Sequence, residues 1–337
     1  MPYNQDTMKH NTTHWNVLVI GALLVCNFAC VGAYAQEETN SAEYTTPKSK
    51  WMDPQPKHVG LMWNAGADIV SNYVWRGLYV GGLGVQADFM VGYGGLFLDM
   101  WWNVGATDWT FKTPYKPLGC ALNPEVDMTI GFSRWGLTVM FMHMYYFDKY
   151  VGTNRYGEPE RQIGDNSRYF DFGNHGPGEG GITQEWRIKY KVSSKLPLSF
   201  LWCTRTWGRD GYYQKDENGE YVSDANGDMI LKRAYSSYFE INYDWKLPYE
   251  FTLSTAVGLT PWKSMYTGFQ GDFAVNNVSV KLTRSWDLGK HLYMTGFANM
   301  MMNPYDLAIQ ANPSLGEVSV NGGRKVLWNV GCGFYFK

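Results

Sequence analysis

From residue 61 onward the chain divides into runs of about ten residues in which apolar and polar side chains alternate, and this period limits its fold more than any other feature. A period of two sends successive side chains to opposite faces of a strand, so every run carries one greasy face and one polar face. In the run 61–76, Leu61, Trp63, Ala65, Ala67, Ile69, Tyr73 and Trp75 share one parity, and Asn64, Gly66, Asp68, Asn72 and Arg76 share the other. In 122–133, Val126, Met128, Ile130 and Phe132 oppose Asn123, Glu125, Asp127 and Thr129. The same pattern is clean at 83–93, 96–105, 182–192, 235–245 and 326–336, and weaker at 137–147, 196–207, 249–259, 273–286 and 292–301. A tilted strand of roughly this length crosses a bilayer. The fold class expected is all-β: an antiparallel up-and-down transmembrane β-barrel of about twelve strands.

The connections give a second test, since such a barrel joins its strands by short turns at one end and longer loops at the other. Short breaks fall at 94–95, 134–136, 193–195, 247–248 and 287–290. Between them lie longer ones at 77–82, 106–121, 148–180, 208–233, 261–272 and 303–324. The strict alternation puts both ends of the barrel domain on the short-turn side. The last run finishes on Phe334, Tyr335 and Phe336, which suits a closing strand. With 24 Tyr, 17 Phe, 15 Trp and 37 Gly, the composition favours strands and tight reversals over helices. A net charge of −2 lacks the basic footprint of a nucleic-acid binder.

Residues 1–35 read as an export signal: Lys9, an apolar run over 17–31, then Ala33-Tyr34-Ala35, with cleavage expected near Ala35. Cys30 is a poor lipidation site because Asn27 and Phe28 stand before it, where small apolar residues are needed. The segment 36–58, rich in Glu, Ser, Thr and Pro, is expected to be a flexible periplasmic leader, and 59–337 the barrel, located in an outer membrane. Of the remaining cysteines, Cys120, Cys203 and Cys332 are odd in number and lack metal-type spacing. The latter two sit in alternating runs, where free Cys behaves as a small buried hydrophobe.

Candidate functional residues are the charges of the polar parity, expected to line the lumen: Asp68, Arg76, Asp88, Asp99, Glu125, Asp127, Glu185, Arg187, Lys189, Arg205, Glu240, Asp244 and Lys281. Such residues either set the selectivity of a water-filled path or pair with one another and fill a narrow interior. Arg76 with Glu125 or Asp127 is the pair expected for a filled interior. Trp63, Trp75, Trp102, Trp186 and Trp328 fit interfacial girdles, whereas Trp101, Tyr212 and Tyr213 fall in lumen or loops, where rings stack on sugars. The stretches 216–219 and 224–228 read as Asn-Gly turns in preference to a calcium loop, because Met229 occupies the position where an EF-hand needs Gly. His143 lies inside a strand with no serine motif beside it and reads as a packed residue. No metal, cofactor or catalytic group is expected.

The segment 68–77, with Ser71, Tyr73, Arg76 and Gly77 in the spacing Ser-x-Tyr-x-x-Arg-Gly, resembles the opening strand of the TorF-like porins. Glu125-Val126-Asp127 and the aromatic Tyr145-Tyr146-Phe147 look like the Bacteroidetes branch of that family. The resemblance covers roughly 61–337 and implies an outer-membrane barrel of porin type; it brings no substrate and no catalytic residues. The long loops 148–180 and 208–233 depart from it. Three functional readings follow: a channel for passive or substrate-selective passage of small solutes across outer-membrane lipid, a closed barrel whose loops bind a partner or glycan, and a barrel-embedded lipid-modifying enzyme centred on His143.

Overall fold

The computed structural model describes residues 61–105, 125–146, 182–208, 210–269, 273–306, 321 and 326–336. In chain order the strands are β1 (Leu61–Val70), β2 (Tyr73–Trp75), β3 (Leu78–Gly81), β4 (Gly84–Tyr93), β5 (Leu96–Gly105), β6 (Glu125–Arg134), β7 (Leu137–Tyr146) and β8 (Ile182–Lys191). They continue with β9 (Leu198–Gly208), β10 (Gly211–Tyr213), β11 (Leu231–Arg233), β12 (Ser237–Lys246), β13 (Thr252–Thr260), β14 (Ala274–Asp287), β15 (Leu292–Met302) and β16 (Leu327–Phe336). All but β2, β3, β10 and β11 hydrogen-bond side by side in one antiparallel closed barrel of twelve strands. β16 returns to β1, with Ala65 opposite Phe336 and Val70 opposite Gly331, so the wall has no free edge.

Parity is carried around the ring by register. Asp68, Gln86, Asn103, Glu125 and Tyr146 face one another in turn across β1, β4, β5, β6 and β7, and all project to one face. That face is the interior. Thr129 is 2% exposed while its neighbour Ile130 is 53% exposed, the reverse of a soluble protein. Outward stand Leu61, Ile69, Phe89, Val104, Phe132 and Val330. A wall this apolar outside and this polar inside is matched by lipid around it.

The short turns lie where the sequence places them. At the β6–β7 reversal Trp135 and Gly136 have φ of 54° and 80°, the two-residue geometry whose twist matches that of the strands. At this end the interior is packed by Met62, Met90, Phe97 and Met140. Phe97 lies across Gly131, where an added Cβ would stand 2.3 Å from its ring.

Two expectations are corrected. The run 61–76 is not one strand: β1 ends at Val70, Ser71 exchanges hydrogen bonds with Val330, and Asn72 donates to the carbonyl of Trp328. The chain then turns inward, so 77–82 is no outer loop but half of the hairpin β2–β3. Alternation continues through both pieces because a hairpin strand has the same period as a wall strand. The second correction concerns 208–233, expected as a long loop and assigned no strand, where β10 pairs with β11. Beyond them the backbones of Gln214, Val222 and Ile230 bond in a closed three-way ring.

Ile130→Lys would place a charge midway along the outer face of β6. Unfolding by urea in lipid vesicles should show a loss of about 2–4 kcal/mol, whereas inward-facing Asn242→Lys, beside Glu240, should cost far less.

Candidate functional site

The hairpin β2–β3 is closed by a two-residue turn, Arg76-Gly77, between the paired residues Trp75 and Leu78. Both turn residues have positive φ, 50° and 80°. Gly77 suits this geometry, and a Cβ there would lie 1.7 Å from the Asn276 carbonyl oxygen. A residue with a Cβ does not suit it, and holding Arg76 left-handed costs on the order of 1 kcal/mol. Its side-chain contacts supply the compensation.

Arg76 Nη1 and Nη2 donate to Glu185 Oε2 and Oε1 at 2.8 and 2.9 Å, a two-pronged pairing of guanidinium and carboxylate. Nη1 also donates to Tyr266 Oη at 2.6 Å and Nη2 to Cys203 Sγ at 2.8 Å. The guanidinium lies 4.3 Å from the Trp75 ring centre and 4.8 Å from that of Tyr238. The turn's backbone is held from the other side. Asn276 donates to the Arg76 carbonyl, and Asn303 and Asn321 donate to the Gly77 carbonyl. Gly77 N–H points at Met301 Sδ, and Tyr79 N–H donates to Asn321 Oδ1.

The hairpin thereby crosses the lumen. It emerges between β1 and β4, while Glu185 stands on β8 and Cys203 on β9, and β9 lies six strands from β1 in either direction around the ring. Glu185 is fully buried and serves two more arginines: Arg187 Nε donates to Oε1 at 2.5 Å, and Arg205 Nε lies 3.9 Å from Oε2. A buried carboxylate is tolerated only with such partners. Tyr266 is presented by the short helical turn Met265–Thr267, which the Ser264 side chain caps. Beside this cluster Tyr238 donates to Glu240, which also accepts from Asn242 and Asn277.

Of the charges expected to line the lumen, Asp68, Asp88, Asp99, Glu125, Asp127, Glu185, Arg187, Lys189, Arg205, Glu240, Asp244 and Lys281 all fall on the inward parity of their strands, and Arg76 enters on the hairpin. Asp68 accepts from Tyr335 Oη at 2.7 Å, Asp244 accepts from Ser254 Oγ at 2.5 Å, and Lys281 lies 4.4 Å from the Phe297 ring centre. The arginine's partner is Glu185 and not Glu125 or Asp127. Strand spacing could not show this, because the hairpin reverses and carries Arg76 across to the far wall. Trp75, expected in a girdle, stacks inside the barrel for the same reason, whereas Trp63, Trp102, Trp186 and Trp328 are exposed on the outer wall. Trp101 faces inward and meets Tyr73, ring centres 5.5 Å apart.

Cys203 is buried, but Cys332 faces outward and is exposed; Cys120 lies outside the described residues. His143 stands on the outward parity between Met128 and Gln184, its Nδ1 3.4 Å from the Gln184 amide nitrogen. Tyr212 stacks on Phe269, and Tyr213 is exposed on β10. The stretches 216–219 and 224–228 are turns: Asp216 accepts from the backbone of Glu220 and Asn218, which holds its carboxyl below the ordinary aspartate range, and Asp224 accepts from Asn226 and Asp228. The segment 148–180 lies outside the described residues.

Sequence reasoning missed Tyr266, Asn276, Asn303 and Asn321. One signal was present: Asn276-Asn277 interrupts the alternation of its strand. The structure shows a bulge there, with Leu259 opposite Val275 and Gly258 opposite Asn277, leaving Asn276 as the extra residue that reaches the hairpin.

No protein-family model matches the chain, and no curated protein matches it. Among solved structures it is similar to the NanC porin, at 11% identity and a TM-score of 0.37 over 82% of this chain and 100% of that one. It is also similar to the KdgM porin, at 6% and 0.34 over 80% and 98%. An outer membrane channel from Pseudomonas putida F1 aligns at 8% and 0.38 over 89% and 99%.

Glu185→Gln leaves Arg76 without its counter-charge at a cost of about 3–5 kcal/mol. The hairpin should leave the lumen, and trypsin should then cut after Arg76 in the folded variant but not in the parent, read as a new N-terminus at Gly77 by mass spectrometry.

Proposed function

We propose that the chain is an outer-membrane channel for small polar solutes, with its long loops outward and its lumen narrowed by the hairpin that carries Arg76-Gly77. The observation that carries this reading is the hairpin's passage from β1 and β4 to Glu185 on the opposite wall. A polar interior inside an apolar outer wall supports a hydrated path through lipid. Export after cleavage near Ala35, with 36–58 as periplasmic leader, accords with it.

The TorF-like signature acquires a physical meaning on this reading. Ser71 ties the hairpin's root to β16, Tyr73 packs against Trp101, and Arg76-Gly77 forms the tip that crosses the lumen. The inward charges predicted from parity are then the residues that a passing solute meets. The closed-barrel reading is favoured by one observation, the apolar packing of Met90, Phe97 and Met140 inside the short-turn end.

Planar-bilayer recording separates the two. Wild-type protein should open in small steps, and Glu185→Gln, or replacement of 72–82 by a short Gly-Ser turn, should enlarge the steps several-fold. Silence from all three, in protein shown to be folded and inserted, establishes the closed barrel instead.

A further inference from the structure

The charges of the interior are not evenly spread. The inward carboxylates Asp68, Asp88, Asp99, Glu125 and Asp127 stand on β1 and β4–β6. β7 follows with uncharged inward residues, among them Thr138, Met140, Met142 and Met144. On β8 three successive inward positions are cationic: Arg187, Lys189 and Lys191. Inward residues two apart on a strand are about 6.5–7 Å apart, so these cations form a ladder from the hairpin tip toward the short-turn mouth. Arg205, on β9 opposite Glu185, extends the ladder upward.

The donors of this ladder are largely unspent. Among the described residues Arg205 makes no hydrogen bond; its Nε is buried, and its one ion-pair contact is the 3.9 Å approach to Glu185. Arg187 makes a single bond, from Nε to Glu185. Glu185 is already occupied by Arg76 through both oxygens. Neither Lys189 nor Lys191 forms an ion pair among the described residues. The carboxylates that act on Lys189, Glu240 and Asp244, are held by neutral donors, Glu240 by Tyr238, Asn242 and Asn277, and Asp244 by Ser254. Glu125 and Asp210 act on Arg205 only beyond ion-pair distance. Guanidinium groups with free forks in a low-dielectric interior bind carboxylate or phosphate oxygens.

We propose that Arg205, Arg187, Lys189 and Lys191 form an anion-binding track along one wall of the lumen, selecting solutes that bear a carboxylate or phosphate group. The proposal rests on the channel reading above and names its substrate class. The pair Lys189→Gln/Lys191→Gln tests it without touching the hairpin, and Arg205→Gln tests the upper end, where the guanidinium also lies 5.5 Å from the Trp75 ring centre and beside Glu185.

The measurement is reversal potential in a potassium chloride gradient, together with block of the current by potassium glucuronate, inorganic phosphate or glucose. Wild type should prefer chloride. Glucuronate should block about tenfold more tightly than uncharged glucose, the difference expected of one charge-assisted contact. Both preferences should fall several-fold in the variants, with unit conductance in potassium chloride nearly unchanged in the lysine pair. Block by phosphate alone assigns the track to phosphoryl groups, and block by glucuronate alone assigns it to carboxylates. A cation-selective wild type, or variants with unaltered selectivity and block, overturns the proposal. If wild type and both widened variants conduct nothing, the channel reading has failed, and equilibrium binding of glucuronate and phosphate to the folded protein in micelles decides the track by itself. Binding lost in Lys189→Gln/Lys191→Gln upholds it, and no binding to wild type removes it.

Discussion

Lipid offers no hydrogen bonds, so every amide of a membrane-facing wall must find its partner inside the wall. The pairing of β1 with β16 meets that demand, because without it two strands would present open edges. The rest follows from closure. Once the ring is complete, the two-residue period has only two destinations. Ile130 and Val330 go out to lipid, and Thr129 and Asn329 go in. Charges such as Asp99 and Arg205, which would be forbidden on the outer face, acquire an interior in which partners or water can stabilise them.

Within that interior the Arg76–Glu185 pair orders the long-loop end. A buried ion pair is weak evidence for stability, but it is demanding about geometry. Here it holds a strained two-residue turn in place, with Asn276, Asn303 and Asn321 on the backbone and Tyr266 and Cys203 on the guanidinium. An apolar tip of the same shape would fit a packed core, yet it would not satisfy the fully buried carboxylate of Glu185. The hairpin and the wall therefore need each other. A lumen spanned in this way is narrowed at one level, while the cations of β8 remain with few partners beneath it.

The wall was legible because its signal is local and repeated. Runs such as Val126-Met128-Ile130-Phe132 state their outward face without reference to any other strand, and the alternation of short and long breaks states the order of the ring. The inward parity of Asp68, Glu125, Glu185 and Glu240 was readable for the same reason. The split at Val70 was not, since Tyr73 and Trp75 keep the period of the strand they leave. Nor could the bulge at Asn276 be located from periodicity, although two adjacent asparagines in an apolar run marked the place.

The sequence by itself determined which side chains face lipid and which face the lumen, because strand parity is a property of neighbouring residues along the chain. Only the tertiary structure decided which lumenal groups meet. Arg76 and Glu185 are 109 residues apart, and their contact depends on the inward turn of the chain after Val70 and on the diameter of a ring of twelve strands. Neither is written in any local pattern, since contact across a lumen is fixed by closure and by the inward fold of one hairpin, not by spacing along the chain.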